Sequence, residues 1–158
     1  MRRILPLLVL SSLAFAPAPF PRSQRRDNDP GVNEQRVQGE WKTVSMESFT
    51  PDGQKQKHEW PVTMVRIKGR RWTSFNGGGQ ILANHYTALD TSTRPTSLDW
   101  YKGDQGGNQG EPSPTWVGLI RLSGDTMQVI YINGPRERRP TFEKPPQEGC
   151  LMTLRRVR

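Results

Sequence analysis

Turn-forming residues recur along this chain too often for long helices to persist. Its 158 residues include 15 glycines and 14 prolines, and inside a helix a glycine costs roughly 1 kcal/mol and a proline roughly 3. Between the turn clusters lie short stretches rich in β-branched and aromatic residues, which fit the pleated surface of a strand. Strands are expected near Gly39 to Ser48, Thr63 to Lys68, Arg71 to Phe75, Gln80 to Leu89, Ser97 to Tyr101, Thr115 to Leu122, Thr126 to Ile132 and Cys150 to Val157. The intervening Pro51-Asp52-Gly53, Asn76-Gly77-Gly78 and Ser123-Gly124-Asp125 accept turn geometries, and Asn133-Gly134-Pro135 stops a strand by removing a donor. Up-and-down connectivity follows most simply. Closing such a meander hides the unpaired edges that an open sheet leaves exposed. The predicted fold is all-β: an antiparallel up-and-down barrel of about seven or eight strands.

The start of the chain has a different composition. Arg2 and Arg3 precede an apolar run from Ile4 to Leu13 and then small residues, the three-part pattern of a secretory signal. The run is shorter than the about 20 apolar residues that a bilayer requires. Ala16 and Ala18 are each followed by proline, so Ser12 and Ala14 fit the small-residue cleavage rule better, and residues 1–14 read as a signal peptide. No cysteine lies near that point to carry a lipid. Residues 15–35, rich in proline, arginine, asparagine and aspartate, read as a disordered tether, leaving 36–158 as the folded domain. A secreted or periplasmic location is expected, with no transmembrane segment in the mature protein.

The formal charge is +8 and falls by two if the leader is removed. Much of the excess sits at the ends, in Arg22, Arg25, Arg26 and in Arg155, Arg156 and Arg158, as a solvated surface would have it. Cys150 is the single cysteine. It allows no intramolecular disulfide and no multi-cysteine metal site, and beside Leu151 and Met152 it reads as a small buried strand residue.

Patterns that carry chemistry are few. His58 and His85 are the two histidines, and no Gly-x-Ser-x-Gly elbow accompanies them. His58-Glu59 begins like a zinc-protease helix, but Pro61 breaks it and Val62 stands where the second histidine belongs. Gly77-Gly78-Gly79 is not followed by the Lys-Ser/Thr pair of a phosphate loop. Catalysis is not expected, and neither a metal nor another cofactor is implied.

Other residues carry a resemblance. Gly39 and Trp41, a Gly-x-Trp at the head of the first strand, paired with an arginine in the last strand, are similar to the lipocalin arrangement. That resemblance implies that Trp41 plugs the closed end of the barrel, that Gly39 permits close approach, and that Arg155 or Arg156 lies across the indole; strand parity leaves both open. The stretches VRIKG from Val65, YTALDTSTRPTSLDW from Tyr86, GLIRLSGDTMQVIYINGPRERRPTFE from Gly118 and LMTLRRV from Leu151 extend the match over about 36 to 157. In that order they resemble the lipocalin-like domain that recurs in planctomycete bacteria, a family of uncharacterised function. Its most specific pieces are Gly124 to Thr126 and Arg139 to Phe142, while the glycine-rich Lys102 to Pro114 is longer than the pattern. The resemblance implies a fold and an exported setting, and carries over no reaction.

Binding is therefore the expected activity. A barrel of about eight strands can be just wide enough for one small ligand or can be packed solid. Trp60, Trp72, Trp100, Trp116, Tyr86, Tyr101, Tyr131 and Phe75 supply aromatic surface for either outcome, with Trp72, Tyr86, Trp100 and Trp116 as the candidate lining for a small apolar or amphipathic ligand. The alternative is a non-catalytic scaffolding module that docks an envelope protein or anionic polymer through Arg136, Arg138 and Arg139 in the long loop Pro135 to Gly149. The sequence argues against a nucleic-acid binder, since it lacks the interleaved aromatic and basic face of an RNA-reading sheet.

Overall fold

A computed structural model describes residues 32–50, 52, 54–57, 61–102, 113–143, 146 and 148–158. The expected signal peptide, most of the tether, His58, Trp60 and most of the glycine-rich loop lie outside the described residues.

Among the described residues nine strands follow one another: β1 (Gly39–Phe49), β2 (Lys55–Lys57), β3 (Met64–Lys68), β4 (Arg71–Phe75), β5 (Ile81–Asp90), β6 (Thr96–Lys102), β7 (Trp116–Ser123), β8 (Thr126–Asn133) and β9 (Gly149–Arg156). Every pairing is antiparallel, the neighbours run β2-β1-β3-β4-β5-β6-β7-β8-β9, and β1 also pairs β9. Eight strands thus close into a lipocalin-like barrel, and β2 is an extra flap on the end of β1. The expected all-β barrel is the observed one. The addition is β2, whose Lys-Gln-Lys has no apolar alternation to announce it. Its hairpin is fixed instead by the Thr50 N–H donating to the Gln54 carbonyl at 3.1 Å.

Alternation places the core. On β8, Met127 and Val129 are fully buried inside the barrel while Gln128 between them is only partly covered. On β9, Met152 and Leu154 face in. Trp41 and Met46 of β1 both belong to this interior although they stand five residues apart, an odd spacing that a strict two-residue period forbids. A register shift between Thr43 and Ser45 supplies the extra residue that restores the parity.

One end of the barrel is sealed. Asn33 caps a single turn of helix, α1 (Glu34–Val37), its side-chain oxygen accepting from the Arg36 N–H at 2.8 Å. Val32 and Val37 are buried with the core, so residues 32–35, expected within the tether, belong instead to a segment packed on the barrel, because two valines offer apolar area worth burying. Trp41 is fully buried above them and its Nε1–H donates to the Val37 carbonyl at 2.9 Å.

The parity left open in the last strand resolves onto Arg156. Its guanidinium carbon lies 4.2 Å from the Trp41 ring centroid. From there Nη1 donates to the Gln38 carbonyl at 2.8 Å and Nη2 donates to the Arg36 carbonyl. Arg155, one residue earlier, is exposed on the outer face opposite Lys42 and Thr126. Gly39 has φ +113, and a Cβ there would stand 3.3 Å from Arg156 Nη1, so both backbone conformation and the passing guanidinium require glycine.

Candidate functional site

The opposite end, where β1 finishes and β9 begins, is hollow. A cavity of about 330 Å³ opens there. Its inner wall is aromatic. Trp72 and Trp100 meet edge to face with centroids 5.6 Å apart and planes at 77°, and Tyr131 continues the wall 5.3 Å from Trp100 at 56°. Across the mouth, His85 and Trp116 meet edge on, 4.7 Å apart at 75°. Met46 and Met152, paired across β1 and β9, add flexible thioether surface. Ser74 and Ala83, paired across β4 and β5, complete the side below His85.

Three titratable groups line this space, and burial holds each in its neutral form. Desolvation lowers the His85 pKa, so the imidazole is uncharged at neutral pH. Burial raises Tyr131 far above the ordinary phenol range, with the Cys150 thiol beside it adding to the effect. Burial likewise raises Cys150, opposed in part by its hydrogen bond with Tyr131, so it is a protonated thiol and a poor nucleophile. His85 Nδ1 is cut off from solvent and has no hydrogen-bond partner. No Asp, Glu, Lys or Arg is among the described residues that line the cavity.

Of the four aromatics expected to line a cavity, Trp72, Trp100 and Trp116 do so and Tyr86 does not. Trp72 pairs with His85 across β4 and β5, and facing partners share a side, so Tyr86 is turned outward. There its ring lies 5.5 Å from the Arg71 guanidinium carbon and pairs in register with Tyr101. His85, Met46, Met152 and Cys150 join the site instead. The signal that finds them is parity: each stands an even number of residues from an inward side chain on its own unbulged stretch of strand.

The loop expected to present Arg136, Arg138 and Arg139 to a partner is folded against the outer wall of the barrel. Asp99, on the outer face of β6, has a side chain only 8% exposed. Its Oδ2 accepts from Arg136 Nε and its Oδ1 from Arg139 Nη2, both at 2.7 Å. Arg136 Nη2 also donates to the Tyr101 hydroxyl at 2.8 Å, and Arg139 Nη1 donates to the Gly118 carbonyl at 3.1 Å. Phe142 of the same loop and Leu151 pack against the outward cluster of Phe49, Leu119 and Ile130, with the Arg121 guanidinium carbon 4.2 Å from the Phe142 ring. Arg136 and Arg139 are thus struts that tie the loop to β6 and β7, Arg136 remaining half exposed while it does so, and Arg138 is exposed as expected. A charged trio 37 to 40 residues from its carboxylate gives no local sign of such pairing.

These features define a closed lipocalin-like β-barrel with one plugged end and an apolar, aromatic-lined cavity at the other. Compared with known proteins the chain finds no match: no family model, no curated protein and no solved structure is similar to it. Among the described residues no helix is long and apolar enough to cross a membrane.

Proposed function

We propose that this chain is an exported, non-catalytic binding protein that takes one small apolar or amphipathic molecule into the open end of its barrel, as a lipocalin-like domain of the planctomycete type. The observation that carries the reading is the cavity itself. At about 330 Å³ it lies at the lower end of the range that small-molecule sites occupy, and its walls are apolar with few polar groups, the usual make-up of such sites. Packing alone would favour filling that space, because residual cavity costs about 24 cal/mol per Å³. The envelope-scaffold alternative is the weaker reading, since Arg136 and Arg139 are spent on Asp99.

Calorimetric titration of the full chain with naphthalene tests the proposal. Saturable one-to-one binding is expected, and Ala83→Trp, which drives an indole into the cavity, is expected to weaken it at least tenfold while the far-ultraviolet spectrum stays that of a barrel. Absence of saturable binding to the unaltered chain would remove the basis for a carrier.

A further inference from the structure

The cavity also constrains what its occupant must look like. An engineered apolar cavity of about 150 Å³ holds one benzene, and the space here is about 330 Å³, room for roughly two rings. The rings of Trp72, Trp100 and Tyr131 meet at steep angles and so offer both faces and edges to a flat guest. No charged side chain is available among the described lining residues to neutralise an ionic ligand, and an unpaired charge moved into such a site carries a heavy desolvation cost.

Among the lining residues one fully buried polar atom is left without a partner. Neutral imidazole bears a single N–H. His85 Nδ1 is buried with nothing to bond, and an orphaned buried N–H donor is rarer than an under-satisfied acceptor. The proton therefore belongs on Nε2, the other ring nitrogen of a side chain that lines the cavity. The Tyr131 hydroxyl does not compete, being engaged with Cys150. Ser74 lies on the neighbouring strand of the same wall, diagonal to His85 in the register that pairs Trp72 with His85 and Ser74 with Ala83. His85 and Ser74 thus place polar groups on β5 and β4, while the aromatic wall runs from Trp72 on β4 to Trp100, Trp116 and Tyr131 on β6 to β8.

We infer that the occupant is a neutral aromatic molecule of about two fused rings bearing one oxygen, a hydroxyl or carbonyl, that accepts the His85 Nε2–H; this rests on the ligand-binding reading above. The rings lie against Trp100 and Tyr131, and the oxygen turns toward β5.

Calorimetry on the full chain with naphthalene, 2-naphthol and 2-naphthoate tests the assignment. One hydrogen bond to a neutral donor corresponds to about five- to tenfold in affinity, so 2-naphthol should bind that much more tightly than naphthalene. The carboxylate should bind at least tenfold more weakly than 2-naphthol. His85→Phe should abolish the five- to tenfold preference for 2-naphthol over naphthalene, whatever it does to the affinity the two share; if that variant does not fold, the order of the three probes on the unaltered chain decides. Equal affinity for naphthalene and 2-naphthol, or tightest binding of 2-naphthoate, would overturn the assignment while the carrier reading stands. Failure of all three to bind would overturn the carrier reading and the assignment with it.

Discussion

Replacing Arg156 by leucine should remove much of what holds the plugged end shut. The side chain makes three contacts of two kinds there: the cation over the Trp41 ring and the two bonds to the Gln38 and Arg36 carbonyls. The first is worth about 0.5–2 kcal/mol. Each hydrogen bond adds about 1 kcal/mol net, since these carbonyls are only partly buried and water can reach them once the guanidinium is gone. The loss should total about 2–4 kcal/mol. For a domain of this size that corresponds to a fall in Tm of roughly 8–16 °C, at roughly 4 °C per kcal/mol. Guanidinium and thermal denaturation followed by tryptophan fluorescence would measure both quantities. Arg155→Leu is the control, because that side chain is exposed on the outer face and a surface substitution usually stays within about 0.5 kcal/mol. Arg156→Lys should fall between the two, keeping a charge near the indole but not the fork that reaches both carbonyls. If Arg156→Leu stays within 0.5 kcal/mol of the unaltered chain, or Arg155→Leu costs as much, the account of the closed end is wrong.

Three further outcomes follow from other parts of the barrel. Asp99→Ala strands Arg136 and Arg139 against the wall and should cost about 2–4 kcal/mol, below the range for breaking a fully buried pair because the Arg136 side chain is 47% exposed; limited proteolysis should then cut in the loop from Pro135 to Phe142. Gly118→Ala places a Cβ 2.3 Å from the Ile130 carbonyl oxygen and 3.1 Å from Trp100 Cζ3, so its denaturation midpoint should drop by the equivalent of about 3 kcal/mol or more, and its cavity should bind naphthalene more weakly. Stability should also fall as pH drops below about 6.5, because His85 is held neutral in the fold at pH values where the unfolded chain already takes up the proton; the other titratable groups on the cavity, Tyr131 and Cys150, stay protonated throughout that range, and His85→Phe should flatten the profile between pH 5 and 7.

The parts of this fold that were legible in the sequence are those governed by short-range chemistry. Turn residues such as Asn76-Gly77-Gly78 and Ser123-Gly124-Asp125 mark strand ends, and the β-branched and aromatic runs between them mark eight of the nine strands. What was not legible depends on parity and on distant partners. Tyr86 differs from the expected lining by one residue of phase in β5, and a single phase slip exchanges every side chain between wall and lumen. The short helix at Glu34–Val37 was missed although Asn33 has the character of a cap, because one turn of helix is stabilised by what it covers and the covered tryptophan lies further on. The basic loop misled for a related reason. Charge in a long loop suggests a partner outside the protein, yet Asp99 supplies one within it, and nothing local ties residue 99 to residues 136 and 139.

The most direct test of the central claim, that the open end of the barrel holds a ligand cavity, is a crystal structure of the chain grown with 2-naphthol. A flat guest is expected against Trp100 and Tyr131 with its oxygen toward His85, between strands whose register is unchanged. An interior filled by the side chains of Trp72, Trp116, Met46 and Met152, with no guest density, would contradict it.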